Sequence, residues 1–244
     1  MRVALFSTCL VDQLFPQVGL AVLRVLKRVG HAAEFPRGQT CCGQPFFNSG
    51  YRDHARRLAR VTLEALEEYD AVVVPSGSCA AMIRVQFPSL FPDPDPLHAR
   101  MDALAAKTWE FSQFLTERLG VVRVAAAYSG VVTYHDGCHL LRELGVRDGP
   151  RELIRGVAGC QLRELNESDA CCGFGGTFAV KFEELSSSMG RAKAQAVADS
   201  GADTLVSCDP SCLMQIGGLL RREGSSVRIL HLAELLAGEP QPAA

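Results

Sequence analysis

Two adjacent cysteines followed by glycine occur twice in this chain, as Cys41-Cys42-Gly43 and Cys171-Cys172-Gly173. Neighbouring thiols close on each other only by straining the peptide between them, and such a pair beside glycine fills a core poorly. Adjacent thiolates can instead point at neighbouring atoms of a polynuclear metal centre. The glycine lets the backbone turn with positive φ and approach a bulky ligand closely. Each copy also has outlying partners. Cys9 precedes Cys41 by 32 positions and Cys138 precedes Cys171 by 33, while Cys79 follows Cys42 by 37 and Cys212 follows Cys172 by 40. The expectation is a duplicated unit built around four cysteines.

The hydrophobic pattern repeats with the cysteines. In the first half, Val3–Ser7 reads as a strand, Pro16–Val29 as a helix with Leu20, Leu23 and Leu26 on one side, and His31–Phe35 as a second strand. Gly50–Tyr69 reads as a helix whose inner face is Leu58, Val61, Thr62, Ala65 and Leu66, and Asp70–Val74 as a buried strand. Four prolines make Phe87–Pro96 an irregular loop, Leu97–Leu119 reads as a helix in two pieces, and Gly120–Gly130 bridges to the second half. There the order returns: strand Val131–Tyr134, helix Pro150–Val157, turn and strand Gly159–Leu165, helix Glu183–Ser200 with Leu185, Met189, Ala192 and Ala196 on one face, and strand Asp203–Ser207.

Alternating strands and helices imply parallel strands joined by right-handed crossovers. The expected fold is α/β, two pseudo-symmetric Rossmann-like halves over 1–120 and 121–244. Cys9, Cys79, Cys138 and Cys212 each fall just past a strand, so each half should gather its cysteines at the carboxyl ends of its strands, where open sheets bind ligands.

Composition narrows the chemistry. A formal charge of −2 and the absence of a basic run argue against a nucleic-acid partner. No apolar stretch approaches the ~18 residues of a membrane span. Met1–Phe6 leads straight into a strand rather than a targeting segment, so the expected location is cytoplasmic. Ten cysteines in that compartment argue for metal or redox chemistry over a disulfide framework. Zinc is one option, but structural zinc sites favour close-spaced pairs that form a rigid knuckle. Iron–sulfur centres spread four thiolates over several irons and tolerate freer spacing.

The pattern of a lone cysteine, Cys-Cys-Gly and a final cysteine resembles the cysteine-rich CCG domain. That domain occurs twice in the B subunit of heterodisulfide reductase, and also in subunits of glycolate oxidase and anaerobic glycerol-3-phosphate dehydrogenase and in lactate-utilization proteins. His135-Asp136-Gly137-Cys138-His139-Leu140, Cys171-Cys172-Gly173-Phe174-Gly175-Gly176 and Ser211-Cys212-Leu213-Met214 resemble the lactate-utilization branch, and the likeness covers about residues 2–237. It implies an iron–sulfur cofactor of 4Fe–4S type, one or two per chain, held by Cys9, Cys41, Cys42, Cys79, Cys138, Cys171, Cys172 and Cys212 with Gly43 and Gly173 beside them. It also implies a redox role in a cytosolic complex that oxidises L-lactate, a small 2-hydroxy acid, to pyruvate, with a ferredoxin-like iron–sulfur subunit and a third lactate-utilization protein as partners. Two other readings stand beside it: a heterodisulfide-reductase-like thiol–disulfide oxidoreductase subunit, and a zinc-stabilised interaction module. The family ends each unit in Cys-x-x-Cys, whereas Ser76 and Asp209 stand here where the first of those cysteines belongs. Four thiolates per half remain, enough for an ordinary cluster or one with a non-cysteine ligand.

The remaining candidates divide between chemical and structural readings. His135 and His139 flank Cys138 and are able to ligate iron, hydrogen-bond a cluster or substrate, or serve structure alone. Asp209 is an oxygen ligand or proton-transfer group, or a helix cap before Pro210. Arg142 binds a substrate carboxylate or faces solvent. Cys208 replaces the missing ligand only if its turn shifts, and Cys160, aligned with His31, is a small buried residue. Gly173–Gly176 lacks the dinucleotide fingerprint, which argues against nucleotide binding.

Overall fold

The computed structural model describes residues 1–238; the last six residues of the expected 121–244 half lie outside them. Short apolar runs form eight strands: β1 (Val3–Leu5), β2 (Ala33–Glu34), β3 (Ala71–Val74), β4 (Thr108–Glu110), β5 (Ala127–His135), β6 (Ala158–Leu162), β7 (Thr204–Ser207) and β8 (Arg228–His231). They make two four-stranded sheets with the same order, β2-β1-β3-β4 and β6-β5-β7-β8. Every pairing is parallel; Val3 lies opposite Ala71 in the first sheet and Val132 opposite Thr204 in the second. The α/β class and the internal duplication are therefore as expected.

In each sheet the chain leaves the first strand toward one edge and returns on its other side. The loops after β1 and β3, and after β5 and β7, thus adjoin at a topological switch point. These four loops carry Cys9, Cys79, Cys138 and Cys212.

Several elements differ from expectation. The helix expected over 97–119 is a helix at His98–Ala106 and another from Phe111, separated by β4. Thr108 and Trp109 favour extended backbone, and pairing with Val72 and Val73 completes the edge of the first sheet. The expected loop 87–96 begins as helix: Gly77–Ala81 continues through a π-helical turn, Met82–Gln86, into Phe87–Leu90. Within the expected bridge 120–130, Ala127 already opens β5. β8 and the helices Pro210–Arg222 and Leu232–Ala237 carried no sequence expectation.

Three long helices, Pro16–Arg28, Arg52–Leu66 and Glu183–Asp199, occur where expected, but their buried faces are displaced by about one residue. Pro16–Arg28 buries Val18, Ala21, Val22, Val25 and Leu26 and leaves Leu20 exposed; Arg52–Leu66 buries Ala55, Ala59, Thr62, Leu63 and Leu66 and leaves Val61 exposed. Glu183–Asp199 buries Ser186, Gly190, Lys193, Ala194 and Val197 and leaves Leu185 exposed. Small residues set these contacts because they allow close approach. A Cβ on Gly190 would lie 2.4 Å from a methyl of Leu219.

The largest apolar cluster crosses between the halves, joining Leu5, Val22, Val25, Phe111 and Phe114 to Val132, Tyr134, Leu230 and Leu236. Arg28 seals the same junction by donating to the carbonyls of Ala125, Leu236 and Ala237 at 3.0, 2.9 and 2.9 Å. Among the described residues no helix is long and apolar enough to cross a membrane.

Candidate metal centre

Each cysteine of the repeat holds the same structural position in both halves. Cys9 and Cys138 are the first residues of the helices Cys9–Leu14 and Cys138–Arg142. Cys79 and Cys212 are the third residues of the helices that begin at Gly77 and Pro210. Cys41-Cys42 and Cys171-Cys172 sit in the loops past β2 and β6. Burial repeats too: Cys9, Cys41, Cys138 and Cys171 are half-exposed, and Cys42, Cys79, Cys172 and Cys212 are buried. The sulfurs of Cys42 and Cys79 are 3.3 Å apart, and those of Cys172 and Cys212 3.2 Å.

The glycines shape these loops through their backbone. Gly43 and Gly173 have φ of +86° and +83°, a conformation that strains other residues. Their N–H groups donate to Cys41 and Cys171 Sγ, each at 3.4 Å. A Cβ on Gly173 would lie 2.5 Å from the Ser186 carbonyl, whereas one on Gly43 would meet nothing nearer than 3.5 Å.

Hydrogen bonds between thiols divide their acidities. Those from Cys42 and Cys9 hold Cys41 down to about 3, and those from Cys138 and Cys172 hold Cys171 down to about 2. Their donors Cys9, Cys42, Cys138 and Cys172 are pushed up, by those same bonds and by burial. Cys212 falls to about 7, lowered by the Cys172 hydrogen bond and by His135. Soft thiolate donors gathered in this way suit zinc or iron–sulfur centres rather than hard cations.

Both tetrads open on one cleft, a cavity of about 170 Å³ whose lining includes all eight cysteines. Asp209 lies between them. It caps the helix Pro210–Arg222 by accepting from Ser211 N–H and Oγ, at 3.1 and 2.6 Å. Its other oxygen accepts from Ser78 N–H at 2.8 Å and lies 3.5 Å from Ser76 Oγ, so it reaches the opposite half. Ser76 is in turn the N-cap of the helix at Gly77. The two residues that stand where cysteines belong in the family pattern therefore cap equivalent helices and meet across the junction.

The other candidates separate. His139 lines the cleft, with Nδ1 against the Glu143 carboxylate and Nε2 3.4 Å from Gln44 Nε2. His135 is 1% exposed, beside Cys172 and Cys212. Arg142 is exposed, does not line the cleft and donates to the Asp169 carbonyl at 3.1 Å. Cys208 is buried in the apolar junction, where Tyr134 O–H donates to it at 3.4 Å, and it does not line the cleft. Cys160 is half-buried on β6 rather than fully buried, and burial raises its thiol to about 11.

Some contributors carry no sequence signal. Gln44 Nε2 donates to Ser78 O at 3.2 Å within the first half and lies 3.4 Å from His139 Nε2 of the second, and Ser49 Oγ meets Thr177 Oγ1 at 2.9 Å; the last two contacts join the halves beside the cleft. Gln39 clamps the end of β1, accepting from Ser7 N–H and donating to Leu5 O, each at 2.9 Å. In the second half, Asp136 next to β5 is held instead by Arg151 in a buried two-pronged ion pair at 2.9 and 2.7 Å.

The cysteine-rich domain family designated CCG matches residues 3–84 and 132–217. Lactate utilization protein A of Oceanobacillus iheyensis is 44% identical over 237 residues, covering 97% of this chain and 96% of that protein. The protein of the same name from Macrococcus caseolyticus is 44% identical over 236 residues, with the same coverage of each chain. Among solved structures, a hypothetical protein from Helicobacter pylori matches with a TM-score of 0.69 at 10% identity, over 99% of this chain and 49% of that one. That likeness concerns the fold alone.

Proposed function

This chain belongs to the cysteine-rich CCG domain family, and from that premise we propose that it is an iron–sulfur redox subunit of a system that oxidises L-lactate to pyruvate. The observation that carries the reading is the pair of matching cysteine tetrads opening on one cleft. The name of the relatives it matches over nearly their whole length points the chemistry toward lactate. The two units are 1–120 and 121–244, each contributing one tetrad.

Cys9, Cys41, Cys42 and Cys79 hold one centre, and Cys138, Cys171, Cys172 and Cys212 the other. Iron–sulfur centres of 4Fe–4S type bound there supply reversible one-electron chemistry. The remaining steps belong to the protein. Buried Cys42, Cys79, Cys172 and Cys212 keep the inner side of each site dry. Gly43 and Gly173 direct a backbone N–H at a thiolate and so stabilise its charge. Asp209 fixes the two tetrads relative to each other. His139, poised between Glu143 and Gln44 at the cleft, holds or passes a proton released by a 2-hydroxy acid. The sequence carries no dinucleotide fingerprint for a hydride acceptor, so the electrons leave through partners, a ferredoxin-like iron–sulfur subunit and a third lactate-utilization protein, in the cytoplasm.

Anaerobic purification, iron and acid-labile sulfide analysis and EPR of oxidised and reduced samples test this reading. The expected result is iron with matching sulfide and a redox-switchable signal that lactate reduces once the partners are present. Zinc without sulfide would overturn it in favour of an interaction module.

A further inference from the structure

The two halves differ at one place beside their otherwise matching cysteines. Three residues before the first cysteine of each tetrad stand Phe6, just past β1, and His135, the last residue of β5. Phe6 is fully buried and packs in one apolar cluster with Cys42 and Cys79. His135 takes the corresponding place beside Cys172 and Cys212. One of its ring nitrogens and the two sulfurs all lie within 4.8 Å of one another, and all three residues are buried. Neither ring nitrogen of His135 has a partner at hydrogen-bonding geometry among the described residues, although the ring lies close enough to Cys212 to lower that thiol.

A buried imidazole with both nitrogens unpaired gives up the hydrogen bonds that water supplied, a cost a phenyl ring at the same place avoids in the first half. Such an orphan calls for a partner, and two soft donors lie beside it. We infer that His135 supplies a nitrogen ligand to the metal centre of the second half, so that this centre has a mixed sulfur–nitrogen donor set and the first half's centre a sulfur-only one. The neutral imidazole coordinates through the lone pair of one nitrogen and keeps its proton on the other, so no proton is displaced. Imidazole is an established ligand of both iron–sulfur and zinc centres. The chain thus carries two chemically inequivalent centres on one duplicated frame.

This inference rests on the metal-centre reading above, and its test separates the two. The anaerobically purified protein, with unlabelled or nitrogen-15 histidine, is examined by pulsed EPR of the reduced state, beside the variants His135→Phe and His135→Cys. The expected result is a strongly coupled nitrogen that responds to the histidine label and disappears in both variants. His135→Cys retains a metal donor and guards against simple loss of the fold, so it should keep iron near the original stoichiometry. No strongly coupled histidine nitrogen in the parent protein, or one that survives His135→Cys, would overturn the assignment. If the protein instead holds zinc without sulfide, the redox reading fails on its own. His135→Phe should then weaken zinc binding by at least tenfold, and unchanged zinc affinity would overturn the ligand role.

Discussion

At the scale of single residues, equivalent positions in the two halves are not equally tolerant. Gly43 and Gly173 share the left-handed backbone conformation, but only Gly173 is also hemmed in by a backbone carbonyl. Gly43→Ala should therefore cost about 1–2 kcal/mol, the penalty of a side chain in that conformation. Gly173→Ala should cost clearly more, since the chain must also move off Ser186. Urea unfolding of the two variants checks this, and equal losses would show that the Ser186 contact relaxes freely. Arg151 belongs at the same scale. Its guanidinium neutralises Asp136 in the interior and stacks over the Tyr134 ring at 5.0 Å. Arg151→Met leaves the carboxylate buried without its cation, a loss of about 3–5 kcal/mol. Denaturant unfolding at pH 7 measures it, and a loss below about 1 kcal/mol would mean that water reaches Asp136.

At the scale of elements, the edge of the first sheet carries a pH dependence. Glu110 ends β4 and caps the helix that follows, accepting from Ser112 and Gln113 N–H at 2.8 and 3.2 Å. Burial outweighs those bonds and pushes its carboxyl up from 4.5 to about 7. Between those values the folded protein keeps a proton that the unfolded chain has released. The group's contribution to stability is therefore full below about pH 4.5 and is lost as pH rises to about 7, a change of about 3 kcal/mol at 1.36 kcal/mol per unit. Glu110→Gln retains an acceptor oxygen but cannot ionise, so the stability difference between variant and parent should shift toward the variant by about that amount from pH 5 to pH 8. Parallel pH profiles would refute the assignment. β4 also marks how far sequence reaches. The apolar strands β1, β3, β5 and β7 and the cysteines past them were legible because a short apolar run and a fixed spacing are local signals. Three-residue β4, lying between two helices, has no alternation to display. The helix faces were misjudged by a residue because alanine and glycine, not leucine, make the closest contacts. The role of Asp209 was half legible: its cap is local, but the cap at Ser76 was not read, and the meeting of the two depends on how two sheets dock, which no spacing within one half encodes.

At the scale of the whole molecule, duplication of the sequence does not make the halves independent. The shared apolar cluster draws Leu5 and Val22 from one sheet and Val132 and Leu236 from the other, so separating them would expose a core rather than a surface. The cleft depends on the same junction, since Asp209 reaches across it to Ser78, Gln44 to His139 and Ser49 to Thr177. Cooperative unfolding follows: a unit that loses one sheet loses the burial that holds the other. Hydrogen exchange followed through β3 and β7 under increasing urea should show both strands opening at one free energy. Arg28→Met, which removes three donations to the carbonyls of Ala125, Leu236 and Ala237, should lower that common value by about 1–3 kcal/mol in both sheets alike, although the arginine lies in the first. If β7 kept its protection after β3 had opened, or if Arg28→Met weakened one sheet alone, the halves would be separable domains. The two cysteine tetrads would then be held at a fixed separation by Asp209 and its neighbours rather than by a common core.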